Sequence, residues 1–219
     1  MSIFDRLSIG TANFGKEYNG ICVSAKDADK ILNFAWDIGI RSLDCATAYN
    51  WYFGDTNKDF EVTLKMREDD GWCGPLPDIL MAHRSEEWEW LIGKGKFTYG
   101  VSVYEPNEVG FIESYSNNLT VLQCPYSIYD RRFEPYFAFW HRAGVQIQVR
   151  SVFLRGKILD KVRVKDCMIF PLLNPNVDKM IIGVDSLDQL KQNVEYFQWL
   201  DTLKVDDENI IDPRRWEQK

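Results

Sequence analysis

The sequence predicts a single (β/α)8 barrel, an α/β fold, and three observations predict it. Eight short runs rich in β-branched and other apolar residues follow one another along the 219 residues. Amphipathic segments separate several of them, and no linker, internal repeat or low-complexity tract divides the chain. Strands alternating with helices build a parallel sheet, and eight such strands in one domain close into a barrel. The expected organisation is one barrel domain over 1–219 with a short C-terminal tail at 201–219.

Strand 1 is expected at Leu7–Thr11, followed by a helix over Ala25–Ile38 whose Ile31, Phe34, Ala35 and Ile38 share one stripe. Ser24 suits its N-cap and Gly39 its C′ position. Strand 2 is Arg41–Ala46. The short gap from Asn50 to Asp59 leaves room for only an abbreviated second helix before strand 3, Phe60–Met66. Between Met66 and Pro77, Gly71, Gly74, Pro75 and Pro77 punctuate a loop, so helix 3 is expected to be missing or reduced to one turn. Strand 4 is Asp78–His83, with a helix at Glu86–Gly93. Strand 5, Phe97–Val103, precedes a helix at Glu108–Tyr115, and strand 6, Thr120–Pro125, precedes a helix at Phe133–Ala143 with Gly144 as its C′ residue. Strand 7 is Val145–Ser151. Pro171 and Pro175 predict an abbreviated or irregular helix within Asp160–Asp178. Strand 8, Met180–Val184, leads into a final helix at Leu187–Leu200 that Ser186 would cap. The tail Asp201–Lys219 is charged and reads as a solvated cap around Ile210, Ile211 and Trp216. A barrel of this type typically takes about 250 residues, so the outer ring is thin on one side. Trp51, Tyr52, Phe53 and Trp72 are expected to cover that flank or to form a subunit contact.

Composition narrows the function classes. Hydrophobic residues at 45% and charged residues at 27% exclude a disordered chain. Lys and Arg number 26 against 33 Asp and Glu, a net charge of −7, which works against a nucleic-acid partner. The five cysteines are odd in number and form no CxxC pair, so neither a disulfide framework nor a zinc knuckle is expected and a cytoplasmic location fits. They read as buried small hydrophobes, although Cys45 adjoins Asp44 and Cys73 falls in a loop. The N-terminus lacks the pattern of an export signal, and no stretch approaches the roughly 18 apolar residues of a membrane span.

Active sites of such barrels form at the C-terminal ends of the strands. There the strand assignments place Asp44, Lys65, His83, Ser102 and Gln123, with Tyr49 in the loop after strand 2. An ammonium at Lys65 favours the phenolate of Tyr49 and is expected to lower its pKa. Asp44 would hold that ammonium charged and fixed, while His83 would orient a carbonyl oxygen. The set suits protonation of an oxyanion. Taken singly, Asp44 with Lys65 is a structural ion pair and Tyr49 a wet loop aromatic; their conjunction favours the functional reading. His141 and the Arg131–Arg132 pair are assigned no role in the site.

These residues stand inside segments that carry a family resemblance. LSIGTANFG, DIGIRSLDCATAYN, FEVTLKM, DILMAHR, YGVSVYEPNE, LQCPYSIYDRR, VRSVFLRGKIL and MIIGVDSLDQLKQNV occur in the order of the aldo-keto reductases, and the sequence resembles a shortened member over nearly its whole length. The resemblance implies that Asp44, Tyr49, Lys65 and His83 form a catalytic tetrad, with Tyr49 the general acid for reducing a small carbonyl substrate. It implies NADPH or NADH as cofactor. The cofactor positions it implies are Ser102 and Gln123 near the carboxamide, then Arg150, Ser151, Phe153 and Leu154 after strand 7. After strand 8 they are Gly183, Val184, Asp185, Gln189, Gln192 and Asn193. Val103 stands where many members have Asn, Arg150 where many have a stacking Tyr, and Asp185 would repel a 2′-phosphate. The Arg150 guanidinium is suited to a phosphate. A second reading is a weak or inactive nucleotide-binding homologue acting as a sensor or interaction module. A monomer or homodimer is expected, with no nucleic-acid or membrane partner.

Overall fold

The computed structural model describes residues 2–18, 20–49, 56–72, 74–109 and 118–198. The strands are β1 Leu7–Gly10, β2 Ser42–Ala46, β3 Glu61–Met66, β4 Ile79–Ala82, β5 Thr98–Ser102, β6 Leu119–Pro125, β7 Gln146–Arg150 and β8 Lys179–Gly183. They pair in chain order into a closed barrel, β8 returning to β1, with every pair parallel. Each lies within one or two residues of its expected range.

The strands alternate with period two, and the two faces differ in chemistry. One set comprises Leu7, Ile9, Leu43, Cys45, Val62, Leu64, Leu80, Ala82, Val101, Leu122, Cys124, Ile147, Val149, Met180 and Ile182, all buried in the large core shared with the helices. The other set turns into the barrel, where Ile79, Met81 and Val121 form a small separate cluster. Asp44, Thr63, Lys65, Ser102, Gln123, Gln148 and Lys179 are buried polar residues on these inward positions. Lys179 on β8 pairs across the barrel floor with Glu61 on β3. Gly100 keeps the interior passable: a Cβ there would lie 2.8 Å from Met81 Cε and 3.1 Å from Val121 Cβ.

The helices are α1 Ala25–Asp37, α2 Trp88–Leu91, α3 Glu134–Arg142, α4 Val164–Leu173 and α5 Leu187–Gln198. The Ser24 hydroxyl accepts from the Asp27 amide at 3.2 Å and opens α1, which buries Ala28, Ile31, Leu32 and Ala35. Phe34 and Ile38 of the expected stripe are only half-buried. Gly39 and Gly144 follow their helices with φ of 101° and 83°, backbone that side chains resist. Ser186 caps α5 by accepting from Gln189 N at 3.1 Å. The helix expected at Glu86–Gly93 is a 3-10 turn, Ser85–Glu87, followed by the single turn of α2.

Between β3 and β4 the described residues hold no helix, as the Gly and Pro spacing predicts. Trp72 packs partly buried against the core and donates Nε1–H to Pro75 O at 3.0 Å. Residues 107–109 open a helix after β5, but 110–117 lie outside the described residues. So do Trp51, Tyr52, Phe53, Cys73 and the whole tail.

Two expectations need correction. The segment Asp160–Asp178 holds a ten-residue helix, α4, with Pro171 in its last turn; a proline so close to the end forfeits only the bond to the Cys167 carbonyl, and Cys167, Met168 and Leu172 bury one side. Cys22 is exposed, whereas Cys45, Cys124 and Cys167 are buried as expected. No helix among the described residues is long and apolar enough to cross a membrane.

Candidate active site

Lys65 near the top of β3 and Asp44 on β2 make the central contact, Nζ to Oδ2 at 2.5 Å, with side chains 4% and 6% exposed. The second Asp44 oxygen accepts from Gln123 Nε2 at 2.8 Å. Gln123 Oε1 lies 3.5 Å from Lys65 Nζ, and its Nε2 lies 3.3 Å from Gln148 Oε1 on β7. Ser102 and Gln123 are register partners across β5 and β6. A chain of buried polar groups thus crosses the barrel from β2 and β3 to β6 and β7. From the β1 side, the Thr11 amide and hydroxyl both donate to Asp44 O, at 3.0 and 3.1 Å.

Tyr49 is delivered to this pair by a turn that β3 pins down. The Thr47 amide donates to Lys65 O at 2.9 Å and the Tyr49 amide to Ala46 O at 2.9 Å. The Thr47 hydroxyl bonds Asp70 in the loop after β3. Lys65 Nζ stands 5.5 Å from the centre of the Tyr49 ring. The His83 ring meets that of Tyr49 edge to face, centroids 6.4 Å apart at 85°. His83 is held in turn by its amide, which donates to Met66 O at 2.9 Å. All four expected tetrad residues therefore meet at the C-terminal mouth.

Burial sets the protonation states. It works to lower the Lys65 pKa, but the Asp44 carboxylate, with Tyr49 behind it, outweighs that and holds the ammonium above its ordinary value. Burial raises the Tyr49 phenol above 10, and the opposing pull of Lys65 does not overcome it. This corrects the expectation that Lys65 lowers the Tyr49 pKa: desolvation of a phenolate wins. His83 is lowered to about 4 by burial and then by the Lys65 and Arg67 charges, so its ring is neutral near neutral pH. Its Nδ1 is buried without a hydrogen-bond partner. Beside them the Cys45 thiol is pushed up to about 12 by burial, which makes it inert as a nucleophile.

Apart from Ser102 on β5 and Gln123 on β6, the positions that the resemblance implies for a nucleotide lie at the β7 and β8 ends of the same mouth. Ser151, Leu154 and Arg155 all have positive φ, 63°, 46° and 57°, a cluster of strained backbone in one loop such as functional sites retain. Ser151 is exposed, and Phe153 and Leu154 are half-buried. Gly183 has open space where a Cβ would stand. Val184 is fully buried, so only its backbone is presented. Asn13 Nδ2 donates to Val184 O at 3.1 Å and Asp185 Oδ1 at 2.8 Å, while the Asp185 amide donates to Gln189 Oε1 at 2.6 Å. Gln192 is exposed on α5, but Asn193 is buried, 4% exposed, on its inner side. Arg150 is turned toward β5: Nη2 donates to Val103 O at 2.9 Å and Cζ lies 4.2 Å above the Tyr104 ring.

Thr11, Asn13, Thr47 and Gln148 were not among the residues that sequence reasoning singled out. Gln148 sits two residues before Arg150 on β7, and that period-two spacing was the one available signal. Of the residues given no role, Arg132 pairs with Glu105 and Asp130 at 2.7 and 2.8 Å, and His141 lies 3.4 Å from Asp178. An open depression lined by Leu76, Asp78, Lys96 and Tyr99 lies at the opposite, N-terminal end of the barrel and is remote from this chemistry.

No protein-family model matches the chain, and no curated protein matches it. The fold is that of the aldo-keto reductases. A solved structure described as a putative aldo-keto reductase from Pseudomonas aeruginosa superposes with a TM-score of 0.68 at 17% identity, over 89% of this chain and 90% of that one. An aldo-keto reductase from Bacillus halodurans in its holo form matches with a TM-score of 0.64 at 20% identity, over 96% and 95%. A glycerol dehydrogenase from Gluconobacter oxydans matches at 0.62 and 13%, over 92% and 94%.

Proposed function

We propose that the protein reduces a small aldehyde or ketone to an alcohol, using NADPH or NADH and Tyr49 as general acid. The observation that carries this reading is the meeting of Asp44, Lys65, Tyr49 and His83 at one barrel mouth, with the Lys65 ammonium paired to Asp44 and the Tyr49 and His83 rings edge to face beside it.

The bound nicotinamide would supply the hydride. The residues present fit such a group. The strained loop after β7, the open face at Gly183 and the capped, positive end of α5 surround one side of the mouth, and a helix of that length favours a phosphate at its N-terminus. Ser151, Phe153, Leu154, Gly183, Val184, Asp185 and Gln189 would line it, with Ser102 and Gln123 toward the tetrad. Gln192 lies one turn further along the exposed side, whereas the buried Asn193 would act by holding α5 in place. Arg150, committed to Val103 and Tyr104, would border the pocket.

Burial keeps the Tyr49 proton in place until a substrate oxygen gains negative charge. Neutral His83 would donate from one ring nitrogen to the same oxygen and fix the carbonyl's orientation. Lys65, held charged by Asp44, stabilises the phenolate that remains after proton transfer. Gln123 and Gln148 hold Asp44 in place and leave no unpaired carboxylate oxygen in the dry interior.

Titration with NADPH and NADH, followed by quenching of the tryptophans, tests the cofactor, and an aldehyde panel tests the reaction. Tyr49→Phe is expected to lower kcat by about 10²–10⁴-fold, the usual worth of a general acid, with nucleotide affinity retained. Unchanged kcat in that variant overturns the mechanism.

A further inference from the structure

Arg67 follows β3 directly, two residues after Lys65, and its neighbour Met66 accepts the His83 amide at 2.9 Å. Its Nε is buried and has no hydrogen-bond partner, and no carboxylate among the described residues lies within salt-bridge distance. The chain is acidic overall, and acids stand nearby, yet each is engaged elsewhere or turned to solvent. Asp70 accepts from the Thr47 hydroxyl, Glu87 Oε2 accepts from the Arg84 amide at 2.9 Å, and Glu68 and Asp69 are exposed. Arg150, another guanidinium at the mouth, has its donors on Val103 O and Ser151 and its face on Tyr104. The charge of Arg67 reaches both His83 and Glu87 without forming an ion pair. A guanidinium with a desolvated, unpartnered donor and no ion pair among the described residues, close to the group that would bind the carbonyl, is arranged to receive an anion.

We propose that Arg67 anchors an anionic group of the carbonyl substrate, so that the substrate class is an aldehyde or ketone bearing a carboxylate or a phosphate. This rests on the reductase reading above. His83 and Tyr49 would take the carbonyl oxygen while Arg67 takes the anion a few bonds away. Two parallel N–H···O contacts from the fork fix orientation as well as affinity.

The test compares matched pairs with the full chain: 4-carboxybenzaldehyde against its methyl ester, and glyceraldehyde 3-phosphate against glyceraldehyde. The expected result is a kcat/KM advantage of about tenfold or more for the anionic member of at least one pair, the pair showing which anion is meant. Arg67→Ala is expected to remove that advantage through KM, and Arg67→Lys to restore part of it. An advantage absent from both pairs, or unaltered in Arg67→Ala, overturns the proposal. So does a loss confined to the KM of NADPH or NADH, which would assign Arg67 to a nucleotide phosphate. A second arm needs no turnover: 4-(hydroxymethyl)benzoate is expected to quench tryptophan fluorescence more tightly than its methyl ester, and Arg67→Ala to erase the difference. Reduction of no aldehyde in either pair defeats the reductase reading, and the binding arm still decides for or against the anion anchor.

Discussion

Lys65 and Asp44, drawn from adjacent strands and 2.5 Å apart, form an ion pair from which water is almost wholly excluded. Its stability is conditional on both members, because each charge is tolerated in the interior only by the other.

Asp44→Asn therefore leaves a buried ammonium without a counter-charge and is expected to cost about 3–5 kcal/mol in chemical denaturation. The double variant Asp44→Asn/Lys65→Met is expected to recover part of that loss. Because the folded-state pKa of Lys65 is raised, its contribution is complete below about pH 10.5 and is lost only as more alkaline pH titrates the ammonium. A cost below about 1 kcal/mol, the value of an exposed pair, would show that water reaches the pair.

His83 predicts a slope on the acid side. Its folded-state pKa is lowered from 6.5 to about 4, so between those values the unfolded chain binds a proton that the folded chain refuses. Stability is expected to fall as pH drops through that window, by an amount of order 3 kcal/mol, and the His83 contribution to level off below it. His83→Gln is expected to flatten this part of the profile. The same slope in wild type and variant would assign the acid sensitivity to other groups.

Gly100 predicts a packing effect unrelated to chemistry. Gly100→Ala places a methyl 3.1 Å from both the Cβ and the carbonyl oxygen of Val121 and 2.8 Å from Met81 Cε. Met81 can swing aside, but Val121 and its backbone cannot, so a loss of about 1–3 kcal/mol is expected in thermal or chemical unfolding. A neutral result would mean that β5 and β6 separate more readily than their register implies.

Much of the fold was legible because its signals are local. Short runs of β-branched and other apolar residues marked the strands, Ser24 and Ser186 marked helix starts, Gly39 and Gly144 marked helix ends, and the Gly and Pro residues between Met66 and Pro77 marked a missing helix. The irregularity expected from Pro171 misled, since apolar residues on one side of α4 supply packing that a lone proline near the end does not cancel. At the candidate site, Asp44, Lys65 and His83 were legible as polar residues closing strands. Gln148 and Asn13 were not, because each matters only for a partner far along the chain: Gln123, and Val184 with Asp185, respectively.

The sequence by itself determined the order of strands and the residue types brought to the barrel mouth, since both follow from short-range spacing. Only the tertiary structure decided the protonation states. Spacing predicted a Tyr49 pKa lowered by Lys65, but closure of the barrel buries the phenol, and the cost of desolvating its anion exceeds the attraction of one ammonium. The same closure lowers His83, keeps Asp44 paired and leaves the Arg67 Nε without a partner. Burial is a property of the whole fold, so no segment of the chain announces it.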